Sequence, residues 1–118
     1  MKIKKIGFKN KRKRINFLVK ECNILERVRG LMFRKNNENI FLLFNFKKQS
    51  RLSIHSYFVF FNFLAIWTDN KNNIIEKRIV KPFTLPIKPK KPFHKLIEIP
   101  INEKNKKIIH FFVGKRNI

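Results

Sequence analysis

The stretch from Leu52 to Trp67 constrains this chain more than any other. Its sixteen residues are interrupted only by Ser53, His55, Ser56 and Asn62, and are otherwise apolar and heavily β-branched or aromatic. A membrane-crossing helix needs about twenty apolar residues, so the run is too short to span a bilayer in that form. Val, Ile, Phe and Tyr fit a pleated, half-buried surface best. The stretch therefore predicts two buried strands, Leu52 to Phe61 and Phe63 to Thr68, bent or interrupted near Asn62, and no membrane span. The rest of the chain has to supply their cover.

The flanking segments carry mostly strand signals. Ile15 to Lys20 and Ile40 to Phe46 read as strands. Asp69-Asn70-Lys71-Asn72-Asn73 reads as a hairpin turn, because Asp and Asn tolerate left-handed backbone and bond their own main chain. Ile74 to Val80 is then the returning strand. Pro82, Pro86, Pro89 and Pro92 forbid regular structure, since each lacks a backbone donor. Leu96 to Ile99 and Ile108 to Val113 read as the last strands. One helix is expected near residues 24–34: Asn23 is placed to cap it with Glu26 three residues on, Leu25, Val28 and Met32 recur at helical spacing, and Gly30 breaks it near its end. At 118 residues there is room for one core. The expected fold is α+β, predominantly antiparallel β with a compact or barrel-like sheet. A basic flexible or short-strand arm at residues 1–14 precedes a single β-rich domain at 15–118.

Charge is the second constraint. The chain has 29 Lys+Arg against 7 Asp+Glu, a net charge of +22. A polyanion is the natural counterpart of such a balance. Yet Lys, Ile, Asn and Phe, whose codons are rich in A and T, make up over half the chain, so base composition accounts for the same lysines. The first twenty residues hold nine cations and no acid. The candidate polyanion-binding residues are Lys9, Lys11, Arg12, Lys13 and Arg14 in the arm, with Lys88, Lys90 and Lys91 in the proline-rich segment. The opposing reading of the arm is a solvated tail.

Other chemistry has little to work with. One Asp and six Glu are too few for carboxylate-rich calcium or two-metal sites. Three glycines do not make a phosphate-cradling loop. Cys22 is the only cysteine, and His55, His94 and His110 lack ligand spacing. His55 with Glu98 is the one acid/base pair to inspect. No enzyme activity, metal or cofactor is expected. Tyr57, Phe58, Phe60, Phe61 and Phe63 invite a reading as stacking groups for RNA, but they lack the basic-Gly-aromatic order of the common RNA-recognition strand, and burial on both faces of a strand explains them too. The charged start has no secretory signal, so the expected compartment is the cytoplasm.

Three blocks in order resemble a known family. They are Glu26-Arg27-Val28-Arg29-Gly30-Leu31-Met32-Phe33-Arg34, then Ser53-Ile54-His55 through Phe58-Val59-Phe60-Phe61, then Lys81-Pro82-Phe83 with Pro89-Lys90-Lys91 and Ile97-Glu98-Ile99-Pro100. Together they are similar to the domain of unknown function 192 family in its archaeal form, over about residues 15–118. The resemblance implies a compact β-rich α+β domain with no assigned activity, and marks Arg27, Arg29, Gly30, Arg34, His55 and Glu98 as motif residues without a known role. Asn62-Phe63-Leu64 stands where the family usually has Pro-Ile-Asp, and Lys115 where it has a late Asp after the residue matched by Gly114. Arg29 or Arg34 is expected to pair a carboxylate such as Glu98, or to bond loop carbonyls. The leading functional expectation is a non-catalytic cytoplasmic domain with the family's unassigned role. The alternatives are non-specific RNA or ribosome binding through the basic arm and the Lys88–Lys95 stretch, and a small-ligand module lined by aromatics. The sequence does not say whether a partner protein covers the apolar strands.

Overall fold

The computed structural model describes residues 2–10, 12–23, 30–31, 34, 39–54, 59–84 and 86–114. Six strands run in the order β1 (Lys2–Asn10), β2 (Lys13–Glu21), β3 (Leu42–Ser50), β4 (Phe63–Thr68), β5 (Ile74–Val80) and β6 (Phe93–Pro100). A 3-10 turn at Glu103–Asn105 and helix α1 (Lys106–Val113) follow. The strands form one mixed sheet in the spatial order β1-β2-β3-β6-β4-β5. All neighbours pair antiparallel except β2 and β3, which are parallel and meet only at Lys20–Leu42 and Glu21–Leu43. The sheet is open, with β1 and β5 as its edges, so it is mostly antiparallel as expected but not a closed barrel.

The centre of the sheet is buried on both faces. Every residue of β4 is buried. Leu64 and Ile66 join a cluster with Ile97, Ile99 and Ile109 on one face, which α1 covers. Phe63, Ala65 and Trp67 join Leu42, Phe44 and Leu96 on the other. A strand covered twice needs a continuous apolar run, and Phe63 to Trp67 supplies it. The turn into β5 forms as the sequence predicts. Asp69 Oδ1 accepts from the N–H groups of Lys71 at 2.8 Å and Asn73 at 2.9 Å, and Asn72 takes a left-handed φ of 67°. The hydrogen bonds from Asn73 hold the Asp69 carboxyl below its usual range.

Three expectations change. Residues 2–10 take the short-strand form of the expected arm and not the flexible one: they are β1, and Ile6 and Phe8 enter the core against Phe17 and Phe112. Ile108 to Val113 is helix, not strand. Its buried residues Ile109 and Phe112 stand three apart, on one helical face, and Gly114 closes the end at φ 77° with its N–H on the carbonyl of His110. The described parts of Leu52 to Phe61 are not a strand either; Ile54 makes one isolated bridge to Ile87. Most of the helix expected at 24–34 lies outside the described residues; of the described ones, Gly30 and Leu31 form a turn.

Candidate polyanion-binding face

The β1–β2 hairpin is two-sided by register. Partner residues across a pair share a face, and Ile3–Lys20, Lys5–Leu18, Gly7–Asn16 and Lys9–Arg14 lie opposite the buried Ile6, Phe8, Phe17 and Val19. The uncovered face therefore presents Lys5, Lys9, Arg14 and Lys20 with no acid among them. Arg12 and Lys13 are exposed at its tip. Glu21, the one acid of the hairpin, points the other way and pairs with Lys4 at 2.5 Å. Ile3 and Leu18 are 65% and 62% exposed on this same face. With Lys20 and Ile40 they line a groove of about 270 Å³.

Because β2 runs parallel to β3 and joins it only at its last residues, the hairpin reaches beyond the end of the sheet where β3 and β4 begin and β5 and β6 finish. Lys20 pairs with Leu42, which belongs to the core on the side away from α1. The basic face is thus on that side of the sheet. Lys9 and Arg14, both expected as polyanion ligands, are brought together there. Lys11 lies outside the described residues. Lys5 and Lys20 are not among the residues that charge runs alone single out; the signal for them is the two-residue alternation on either side of the Lys11-Arg12 turn.

Lys88, Lys90 and Lys91 are exposed, and Lys90 and Lys91 sit beside β5, the opposite edge strand. Lys90 and Lys91 line a groove of about 350 Å³ with Ile75, Glu76 and Arg78. Glu76 is at its centre, accepting from the backbone N–H of Lys90 at 3.0 Å and pairing with Arg78 at 2.8 Å. An acid there offsets part of the positive field. Among the described residues, the two basic stretches lie toward opposite edges of the sheet.

The family-motif residues form a different cluster. Glu98 lies on β6 between Leu42 and Ala65, 5% exposed. Burial pushes its carboxyl up to about 8. Gly30 sits over it at φ 53°; a Cβ there would be 3.5 Å from Glu98 Oε1, ordinary contact, so the left-handed backbone and not crowding is what asks for glycine. Leu31 and Arg34 are buried. Arg34 Nε donates to the Gly30 carbonyl at 3.0 Å, the loop-carbonyl role expected of it, rather than to Glu98. Arg27, Arg29 and His55 lie outside the described residues, so the His55–Glu98 pair does too. Cys22 is buried. Of the aromatic run, Phe61 and Phe63 are core and Phe60 is 59% exposed, while Tyr57 and Phe58 lie outside the described residues. Phe60 contacts Phe83, which is 53% exposed and has a φ of 55°. No described helix is long and apolar enough to cross a membrane.

Residues 9–110 match the model of a family described as Uncharacterized ACR, domain of unknown function 192. No curated protein matches the chain. Among solved structures, a protein of unknown function from Novosphingobium aromaticivorans DSM 12444 superposes with a TM-score of 0.72 at 14% identity, over 90% of this chain and 78% of that one. A Sinorhizobium meliloti 1021 protein described as a "putative transcription regulator" gives 0.68 at 15% identity, over 81% and 77%. At such identities the likeness is one of fold alone.

Proposed function

The chain belongs to the domain of unknown function 192 family, and from that premise we propose that it is a non-catalytic cytoplasmic domain that binds polyanions, RNA or the ribosome, through the uncovered face of its β1–β2 hairpin. One observation carries this reading: that face holds Lys5, Lys9, Arg14 and Lys20, and no acid interrupts them. Lysine and arginine on a solvated strand face bind phosphates by displacing condensed counterions, so affinity comes without base recognition. The hairpin also projects past the end of the sheet. The Lys88–Lys91 stretch, with Glu76 in its middle, is a weaker partner for an anion.

The test is a triple substitution, Lys5→Gln with Lys9→Gln and Arg14→Gln, which leaves the buried face of the hairpin untouched. Wild type is expected to bind a generic single-stranded RNA with little sequence preference and a steep salt dependence. The slope of log affinity against log salt should fall by about 2 in the triple variant, at roughly 0.7 for each phosphate no longer neutralised. Unchanged affinity in that variant, or no binding by wild type near 0.1 M salt (roughly physiological screening), would overturn the reading.

A further inference from the structure

We propose that the exposed Phe60–Phe83 pair is a stacking platform for the bases of a single-stranded nucleic acid whose phosphates run along the hairpin. This rests on the polyanion reading and gives it a ligand class, because a purely electrostatic face does not tell single strands from duplexes.

The two rings meet edge to face, with centroids 5.5 Å apart and planes at 66°. Both are more than half exposed. A bulky residue at positive φ is uncommon, and Phe83 at φ 55° is held that way in the Lys81–Thr84 turn, where Thr84 Oγ1 donates to the Lys81 carbonyl at 2.6 Å. The result is a turn in which Phe83 stays 53% exposed beside Phe60. Backbone strain at an exposed ring is a reason to ask for a ligand.

Position ties the platform to the basic face. Phe60 lies between Val59 and Phe61, both in the core on the side away from α1, which is the side of Lys20 and the hairpin's basic face. Phe63 pairs with Val80, so Phe60 and Phe83 each stand three residues outside the strands, at the sheet end past which the hairpin extends. Three or four strand spacings separate the two features across the sheet, roughly 15–20 Å. A π face accepts any base, and stacking on it is tolerant of sequence. Exposed Lys81 adds a cation next to the platform.

Phe60→Ser with Phe83→Asn removes both rings, and Asn tolerates the left-handed backbone at 83. Anisotropy is measured with oligo-uridine of about twelve nucleotides, within the range such sites cover, with an RNA duplex of the same length and with heparin. Oligo-uridine affinity is expected to fall roughly tenfold or more in the variant, while duplex and heparin binding stay unchanged. Unchanged oligo-uridine binding, or an equal loss with all three probes, would overturn the platform. A wild-type dimer that the variant splits into monomers would assign the rings to a self-interface and overturn it too. If wild type binds none of the three probes, the polyanion reading itself fails. If it binds heparin and both RNAs equally, only the platform does.

Discussion

Strands β4 and β6 bury side chains on both faces, whereas the β1–β2 hairpin buries one face and leaves the other to water. The same strand geometry serves both. What differs is cover: α1 and the β1–β2 core residues close one side of the centre, and Leu31 with Val59 and Phe61 helps close the other. A lysine on β4 would have to leave water, but on the outer face of the hairpin it stays solvated at little cost. The chain therefore carries a dense positive face without disturbing its core. Glu98 is the exception, a carboxyl placed on the doubly covered side of the comparison.

The largest effect expected from that contrast is at Trp67, fully buried on β4. Trp67→Ala should destabilise by about 3–5 kcal/mol in urea unfolding. Leu18→Ala, on the open face of the hairpin, should stay within about 0.5 kcal/mol. Equal losses at the two positions would abolish the distinction between covered and open strands.

Glu98 sharpens it through pH. Its folded carboxyl is raised to about 8 from an ordinary 4.5, so the folded chain keeps a proton that the unfolded chain releases. Its contribution is therefore most favourable at low pH and declines as pH rises from about 4.5 to about 8, by a few kcal/mol in all. Glu98→Gln should remove that decline. The stability difference between wild type and variant, followed by urea midpoint across that window, isolates this group from the other carboxylates; a difference that does not change with pH would mean that Glu98 is ionised in the fold.

A smaller effect is expected where α1 is anchored. Asn105, 2% exposed, donates from Nδ2 to the Pro100 carbonyl at 2.7 Å and to Asn39 Oδ1 at 2.6 Å. These bonds tie the start of α1 to the segment before β3. Asn105→Ala removes the side-chain donor to the buried Pro100 carbonyl, while Asn39 Oδ1 keeps its bond from Asn102 Nδ2, and should cost about 1–3 kcal/mol by thermal or urea unfolding. The smallest effect is on the open hairpin face: the Lys5, Lys9 and Arg14 to Gln triple should shift stability by less than about 0.5 kcal/mol while reducing RNA affinity. A large stability loss there would show that those cations serve the fold.

Some of this was legible in the residues alone. Strand β5 and its turn follow from Asp69, the Asn residues after it, and the apolar return from Ile74 to Val80. Four prolines mark the segment between β5 and β6 as irregular. Glu98 and Gly30 were singled out by a family motif, and the polyanion reading by charge. The site's geometry was not legible, because it depends on which residues face each other across the hairpin.

By itself the sequence determined one β-rich domain, its charge asymmetry and the local turns, because these rest on backbone preferences and on apolar runs that act over a few residues. Only the tertiary structure decided the fate of the two ends. The apolar residues between Ile108 and Val113 suit a strand or a helix; packing Ile109 and Phe112 against Phe8, Phe17 and the sheet, with Lys77 Nζ donating to the Phe112 carbonyl, selects helix. At the other end, the Lys-rich start looks too polar for a core until register sets Ile6 and Phe8 against Phe17 and Ile15, and leaves Lys5, Lys9, Arg14 and Lys20 together on the open side. Alternation on one strand says that two faces exist. Which face meets water is settled by contacts distant in sequence.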